Sequence, residues 1–306
     1  MMRISFAERQ ARWKRDLAQV KELYRMWHGR ELRIGKPRRY TEKIQWRKLY
    51  DRHPLFPTFC DKLAVRDFIA RRIGENVLVP LLWQGADPTD IPFEQLTPPY
   101  VVKTSHASGQ VIIVRKENRE LWQKENLVRQ LAVWLSEPYG EATAEFAYRR
   151  VPRQVLIEKL IVDPDGKPPM ERRCFVFQGK VRVINTVLVM DGQVRNGAFH
   201  TPAWERLYWY FGRPPLEMEF PAPPLLEQLI KMAEQLGADC DHVRVDFFDT
   251  GQKIWAGEIT VYPWAGSAVF KPDQADMIMG QWWDLRWPRL KAWLAKWLPW
   301  YGGQDW

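Results

Sequence analysis

The feature that most constrains this chain is the succession of β-branched runs after Tyr100: "YVVKTS", "QVIIVRK", "QVLIEKLIV", "RCFVFQGKVRVINTVLV", "HVRVDFF" and "KIWAGEITVY". Helical spacing interrupts them only at about 119–136 and 224–236. Strands that follow one another in groups pair by hairpins, so the expected class is α+β rather than a regular βαβ alternation. Ahead of them, Phe6, Trp13, Leu17, Val20, Leu23, Tyr24 and Trp27 recur at helical spacing, predicting an N-terminal helix over about 5–27. Further helices are expected at 42–50 and 62–72, the latter ended by Gly74. "NVLVPLLWQG" then reads as a buried strand, and prolines 88, 92, 98 and 99 mark a connector.

A chain of 306 residues with 46% hydrophobic content can bury a sizeable core. Cys60, Cys174 and Cys240 are odd in number and far apart, which fits reduced core thiols and not a disulfide framework or zinc cluster. No run of about eighteen apolar residues is present, and the first residues carry charges where a signal peptide needs an apolar stretch. A cytoplasmic location is the expectation. The net charge of +9 favours polyanionic partners, including nucleotide phosphate and anionic lipid. Without an RNA-binding signature or paired zinc ligands, nucleic acid is not expected as a partner. Basic runs near both ends also fit ordinary solvated helix faces.

Two stretches carry chemistry. In "VVKTSHASGQVIIV" a lysine ends one strand, and a small-residue loop leads into the next, the pattern of a phosphate cover. In "HVRVDFFDTGQKIWAGEIT" the turn Asp249, Thr250 and Gly251 joins two strands. The two-residue period puts Arg244 and Asp246 on one face and Glu258 and Thr260 on one face of the partner. Two carboxylates suit a hard cation with phosphate oxygens, and an arginine beside them suits phosphoryl charge. Taken alone, the same hairpin reads equally as a surface element with ordinary ion pairs.

In this order the segments resemble the ATP-grasp superfamily, and more closely its TupA-like family, named for teichuronopeptide biosynthesis. The resemblance runs through "YTEKIQW", "DKLAVRDFIARRIGENVLVPLL", "IPFEQL", "YVVKTSHASGQVIIV", "VPRQVLIEKL", "ERRCFVFQGK", "AFHTPAWERL", "VRVDFFDT" and "WAGEITVYPWAGSAVFKP", roughly residues 40–285. It implies an ATP-grasp fold, with nucleotide held between two α+β subdomains behind a helical N-terminal region. By that resemblance Lys103 contacts the α- and β-phosphates, and the loop His106, Ala107, Ser108 and Gly109 covers them. Ala107 replaces the family's usual loop glycine. "DKLAVR" keeps Asp61 and Lys62 but ends in Arg66 where the superfamily often has a second phosphate-binding lysine. Glu158, Lys159 and Leu160 stand in the hinge that reads adenine, and Arg173 faces the γ-phosphate. Asp246, Glu258 and Thr260 match the metal ligands, threonine standing where many relatives carry asparagine. Arg244 joins Arg173 and Lys103 in the catalytic set, and His200, Pro263, Gly266 and Ser267 are candidates for the acceptor wall.

The implied function is an ATP-dependent carboxylate–amine ligase using two Mg²⁺ ions and an acyl phosphate, acting on an envelope or capsular polymer. A phosphotransferase acting on a hydroxyl and a non-catalytic membrane- or polymer-binding module remain alternatives. The expected organisation is a helical region at 1–60, an α/β part at 61–98, a lid at 99–160, a catalytic subdomain at 161–285 and a tail at 286–306. Seven of the 17 tryptophans lie from Trp282 onward, and "RLKAWLAKWL" has the spacing of a short amphipathic helix. Such a helix fits either the protein's own core or the anionic inner face of a membrane.

Overall fold

The computed structural model describes residues 5–190 and 193–285. The tail expected as an amphipathic helix, at 286–306, lies outside the described residues.

Four antiparallel strands make the smaller sheet: β1 (Leu81–Gly85), β2 (Tyr100–Thr104), β3 (Val111–Val114) and β4 (Val155–Lys159), in the order β1-β4-β2-β3. Alternation divides its side chains cleanly. Tyr100, Val102, Ile112, Val114, Val155 and Ile157 point to one side and form a core with Leu127 and Leu131. Those two leucines lie on the helix Lys124–Ser136. Val101, Lys103, Val111, Ile113, Leu156 and Glu158 point the other way, into a cleft. The stretch expected as one buried strand behaves differently. Val77 and Val79 are buried, but the strand begins after Pro80, lies at the sheet edge and exposes Leu82. Proline lacks the amide hydrogen that a central strand needs, so the pairing starts beyond it.

The larger sheet has the order β11-β10-β5-β6-β7-β8, all pairs antiparallel, built from β5 (Met170–Phe177), β6 (Lys180–Met190), β7 (Gln193–His200), β8 (Arg206–Leu207), β10 (His242–Asp249) and β11 (Ile254–Thr260). Two short strands, β9 (Tyr210–Phe211) and β12 (Phe270–Lys271), pair separately. β7 falls outside the runs expected as strands, because "QVRNGAFH" has too few β-branched residues to show a period. Its pairing with β6 supplies what local propensity does not.

Helices cover both faces of this sheet, and one closes the smaller sheet. We name them α1 (Phe6–His28), α2 (Tyr40–Tyr50), α3 (Phe56–Cys60), α4 (Ala64–Ile73), α5 (Lys124–Ser136), α6 (Leu226–Gly237) and α7 (Gln274–Trp282). Ser5 starts α1 with a capping box to Glu8, and Gly29 ends it at φ 62°, a left-handed geometry that glycine takes without strain. α6 packs on β5, β6 and β10, where Val243, Val245 and Phe247 face it. The opposite face of β10 carries His242, Arg244, Asp246 and Phe248. Its first half lies beneath α2, where Arg47, wholly buried, donates to the carbonyls of His242 (2.7 Å) and Val261 (3.1 Å). The second half opens into the cleft. All three cysteines are buried and unbonded to one another. No helix among the described residues is long and apolar enough to cross a membrane.

Candidate active site

The cleft between the two sheets has a volume of about 670 Å³. Lys62, Arg66, Lys103, Ser108, Gly109, Glu158, Lys159, Leu160, Glu171, Arg173, Asp246 and Glu258 all line it. Valines, isoleucines and leucines from both sheets form the rest of its wall, with Phe248 among them. It is an apolar slot with a charged end, the form expected of a site for a flat ring carrying an anionic group.

The cations come from β2 of the smaller sheet and from α4 and the residues just before it. Lys103 donates to Glu158 at 2.8 Å across the β2–β4 pair, and Arg66 from α4 approaches the other carboxylate oxygen at 2.7 Å. Arg66 also donates to the carbonyl of Val79 at 2.8 Å. The two cations expected on phosphate are thus both tied to the buried Glu158 carboxylate. The loop between β2 and β3 is fastened at its root. Ser105 donates to the carbonyl of Pro152 (2.7 Å), and Thr104 donates to Gln110 (2.6 Å). Its tip, Ser108 and Gly109, stays exposed, with Gly109 at φ 79°.

Sequence reasoning undervalued Lys62. Its backbone amide donates to Ser105 and its ammonium to the carbonyl of Ala107, so it grips the loop from below. Burial lowers its proton affinity below the ordinary lysine value, Glu258 pulls it back up and Lys103 lowers it further. The signal was the retained half of the pattern, "DK", and not its end. His106 differs from its expected place. It does not line the cleft, and burial, with Arg153 and Lys62 nearby, pushes its pKa down to about 4.

The larger sheet delivers the carboxylates. Asp246 and Glu258 face each other in register across β10 and β11, and Asp246 also pairs with Arg173 of β5. Arg244 stands behind them. It reaches Asp246 at 2.7 and 2.5 Å, Glu258 at 3.2 Å and the Thr260 hydroxyl at 3.2 Å, and that hydroxyl donates to Glu258 at 2.9 Å. Burial pushes the Asp246 carboxyl up to about 7 against the pull of Arg244. Glu258 also loses solvation to burial, but Arg244, Lys62 and Thr260 together hold it below the ordinary carboxylate range. Arg173 is clamped by Glu171 at 2.9 and 3.0 Å and lies 3.9 Å from Asp246. Glu171 was not anticipated, although the same two-residue period that exposes Arg173 to the cleft exposes it too.

Four expected acceptor residues lie elsewhere. His200 is buried at the end of β7, stacked on Trp204 at 4.2 Å, and Pro263, Gly266 and Ser267 form a turn under α1 and α2. None of them lines the cleft. β11 runs on past the cleft before the Pro263–Gly266 turn begins. Among the described residues no group of three or more His, Cys, Asp or Glu side chains converges as a metal cage. The Asp246 and Glu258 pair nevertheless fits Mg²⁺, which is held by one or two carboxylates and completes its shell with phosphate oxygens and water.

A family described as TupA-like ATPgrasp matches residues 42–283. No curated protein matches the chain in sequence. Similar solved structures include a D-alanine–D-alanine ligase from Bacillus anthracis complexed with ATP, 18% identical with a TM-score of 0.40 over 68% of this chain and 56% of that one. The ATP-grasp ligase PsnB, complexed with a phosphomimetic variant of its minimal precursor, Mg and ADP, is 10% identical with a TM-score of 0.41 over 76% of this chain and 61% of that one. An N5-carboxyaminoimidazole ribonucleotide synthetase from Thermus thermophilus is 14% identical with a TM-score of 0.40 over 72% of this chain and 51% of that one. The chain therefore spans between 51% and 61% of the length of these structures.

Proposed function

Because this chain belongs to the TupA-like ATP-grasp family, we propose that it is an ATP-dependent ligase that activates a carboxylate as an acyl phosphate and passes it to an amine. The observation that carries this reading is the convergence in one cleft of the cations Lys62, Arg66 and Lys103 with the carboxylates Asp246 and Glu258. An apolar slot beside those charges suits adenine, with Leu160 in its wall at the end of β4. The proposed subdomains are 61–98, 99–160 and 161–285, with the nucleotide between the last two.

Mg²⁺, when bound by Asp246 and Glu258 with Thr260 beside them, supplies charge neutralisation for the phosphates. The chain's own residues then do the positioning. Lys103 and the Ser108–Gly109 tip hold the α- and β-phosphates, Arg66 supports Lys103 through the shared Glu158, and Lys62 fixes the loop. Arg173 faces the transferred phosphoryl group, whose charge is stabilised by preset cations, while Arg244, behind the cleft wall, holds Asp246 and Glu258 in place. The substrate carboxylate oxygen attacks the γ-phosphorus, ADP leaves, and an amine displaces phosphate to give an amide. No side-chain nucleophile is needed.

An envelope or capsular polymer as substrate rests on the family resemblance alone, and a cytoplasmic site of action, peripheral at the membrane's inner face, rests on the charged first residues and the Trp-rich tail. The test is hydroxamate trapping. Purified protein is given ATP, Mg²⁺, hydroxylamine and a panel of amino acids and uronic-acid oligomers. One hydroxamate formed per ADP supports the ligase. ADP release that yields a phosphorylated hydroxyl and no hydroxamate assigns a phosphotransferase, and absence of ATP binding by calorimetry leaves only a non-catalytic module.

A further inference from the structure

The turn after β11 has an unusual backbone. Trp264 (φ 50°, ψ 27°), Ala265 (φ 53°, ψ 18°) and Gly266 (φ 73°) stand in the left-handed region one after another, and two of the three are not glycine. Such a run persists only where its surroundings over-determine it, and these are identifiable. The Ala265 carbonyl accepts from the ammonium of Lys48 at 2.6 Å and from Gln45 at 3.0 Å, both on α2. The Gly266 carbonyl meets His28 of α1 at 2.9 Å. At φ 73° position 266 favours glycine, and a side chain there would also displace the Gln45 amide. Lys48 is 1% exposed, and burial lowers its pKa to about 8, with buried Glu145 opposing that shift. A buried ammonium is a costly way to hold one carbonyl unless the position of that carbonyl matters.

What the turn positions is the Trp264 ring. The Arg244 guanidinium lies over it at 5.0 Å from the centroid, while Phe211 (4.3 Å) and Phe175 (5.8 Å) brace the indole. Arg244 is therefore held from two directions, edge-on by Asp246, Glu258 and Thr260 and face-on by Trp264. The edge contacts are the ones that a metal ion and phosphate would take over. The face contact is independent of them.

We propose that the Pro263–Gly266 turn is a brace through which α1 and α2 fix Arg244: Trp264 is a positioning residue for that guanidinium, and Lys48 acts on Trp264 through the Ala265 carbonyl. The proposal rests on the reading of the cleft as the ATP site. It assigns a mechanical task to α1, which precedes the matched segment beginning at residue 42.

The test is a double-mutant cycle on full-length protein. ATP turnover is measured for Trp264→Leu, Trp264→Phe, Lys48→Met and Arg244→Lys, and for the first and third combined with Arg244→Lys, with ATP affinity measured separately by calorimetry. Trp264→Leu and Lys48→Met are expected to lower kcat about tenfold and to change ATP affinity less than about twofold, the scale of a desolvated cation–π contact. Trp264→Phe restores most of the loss. In the Arg244→Lys background either substitution adds less than about twofold. Additive losses, or equal losses in kcat and ATP affinity, overturn the brace. If Trp264→Leu does not fold, Lys48→Met carries the cycle. A wild-type protein that binds no ATP overturns the cleft reading and the brace with it, whereas wild-type turnover with additive variants overturns the brace alone.

Discussion

The two sheets meet at one cleft but are held in different ways. The smaller rests on a core of ten buried residues closed by α5, a satellite of the main body. The larger shares one continuous core with α1, α2, α4, α6 and α7, from Val20 to Leu285. Their polar contributions differ in the same sense. Lys103 reaches the cleft from the smaller sheet on a long side chain and shares the buried Glu158 carboxylate with Arg66 of α4. Asp246 and Glu258 are fixed by strand register and by an arginine that is itself buried. A light wall with adjustable cations thus faces a heavy wall with fixed carboxylates, a division suited to closing on a ligand without disturbing the groups whose placement matters most.

The strongest way to break this contrast is at the fixed wall. Asp246→Ala or Glu258→Ala should lower ATP turnover on the order of 10²–10³-fold, the scale of losing a preorganised charge-stabilising group, while leaving the fold intact. Near-normal turnover in Glu258→Ala ends the assignment. The same proteins should lose their Mg²⁺ response, read by titrating the ion against turnover. The inflections of the wild-type titration give the number of ions.

The second test weakens the light wall. Leu131 is wholly buried in the smaller core, and Leu131→Ala should destabilise that sheet by about 2–5 kcal/mol, the usual range for a buried leucine truncated to alanine. Amide exchange should quicken over β2–β4 while β5, β6 and β10 keep their protection. Uniform loss across both sheets would show that the proposed lid at 99–160 is not a separate cooperative unit.

The third concerns the adjustable cations. Lys103→Ala should weaken ATP binding by about 1–3 kcal/mol, the scale of a charge-assisted hydrogen bond. Arg66 remains to satisfy Glu158, so thermal stability should change little. Unchanged affinity by calorimetry removes Lys103 from the nucleotide site.

The same contrast explains what was legible in the sequence. The two-residue period placed Asp246 and Glu258 on paired faces and the strand-end lysine marked Lys103, whereas Arg173 came from the family resemblance alone; all four line the cleft. β7 was not, because its strand character comes from β6 and not from its own residues. Pro263, Gly266 and Ser267 were expected at the acceptor wall, because which helices their turn touches is a long-range fact. Its partners His28, Gln45 and Lys48 are more than 200 residues away in the chain. Arg66 and Lys62 lie four residues apart on and just before α4, and only the packing of that helix on β4 and the loop decides which meets Glu158 and which grips Ala107.

The smallest expected effect sharpens the contrast with two histidines. Burial lowers His106, on the loop of the light wall, and His200, on β7 of the heavy wall, to about 4, with nearby arginines adding to the shift in each case. In the unfolded chain both titrate near the ordinary histidine value of about 6.5. Between about pH 6.5 and 4 the unfolded state therefore binds protons that the folded state refuses, so stability falls as the pH drops through that window and is unaffected above it. Linkage gives at most about 2 kcal/mol per ring at pH 5, and about 1 kcal/mol once partial solvent access is allowed for. The two should differ in how that cost appears. His106 can take its proton by local opening of the 105–110 loop, so His106→Gln should flatten the pH dependence of amide exchange there and leave the melting temperature nearly unchanged. His200 is locked between Trp204 and the sheet, so His200→Gln should flatten the fall of melting temperature between pH 6.5 and 4. A melting curve that keeps its full acid dependence in His200→Gln, or loses it in His106→Gln, reverses the assignment of light and heavy walls.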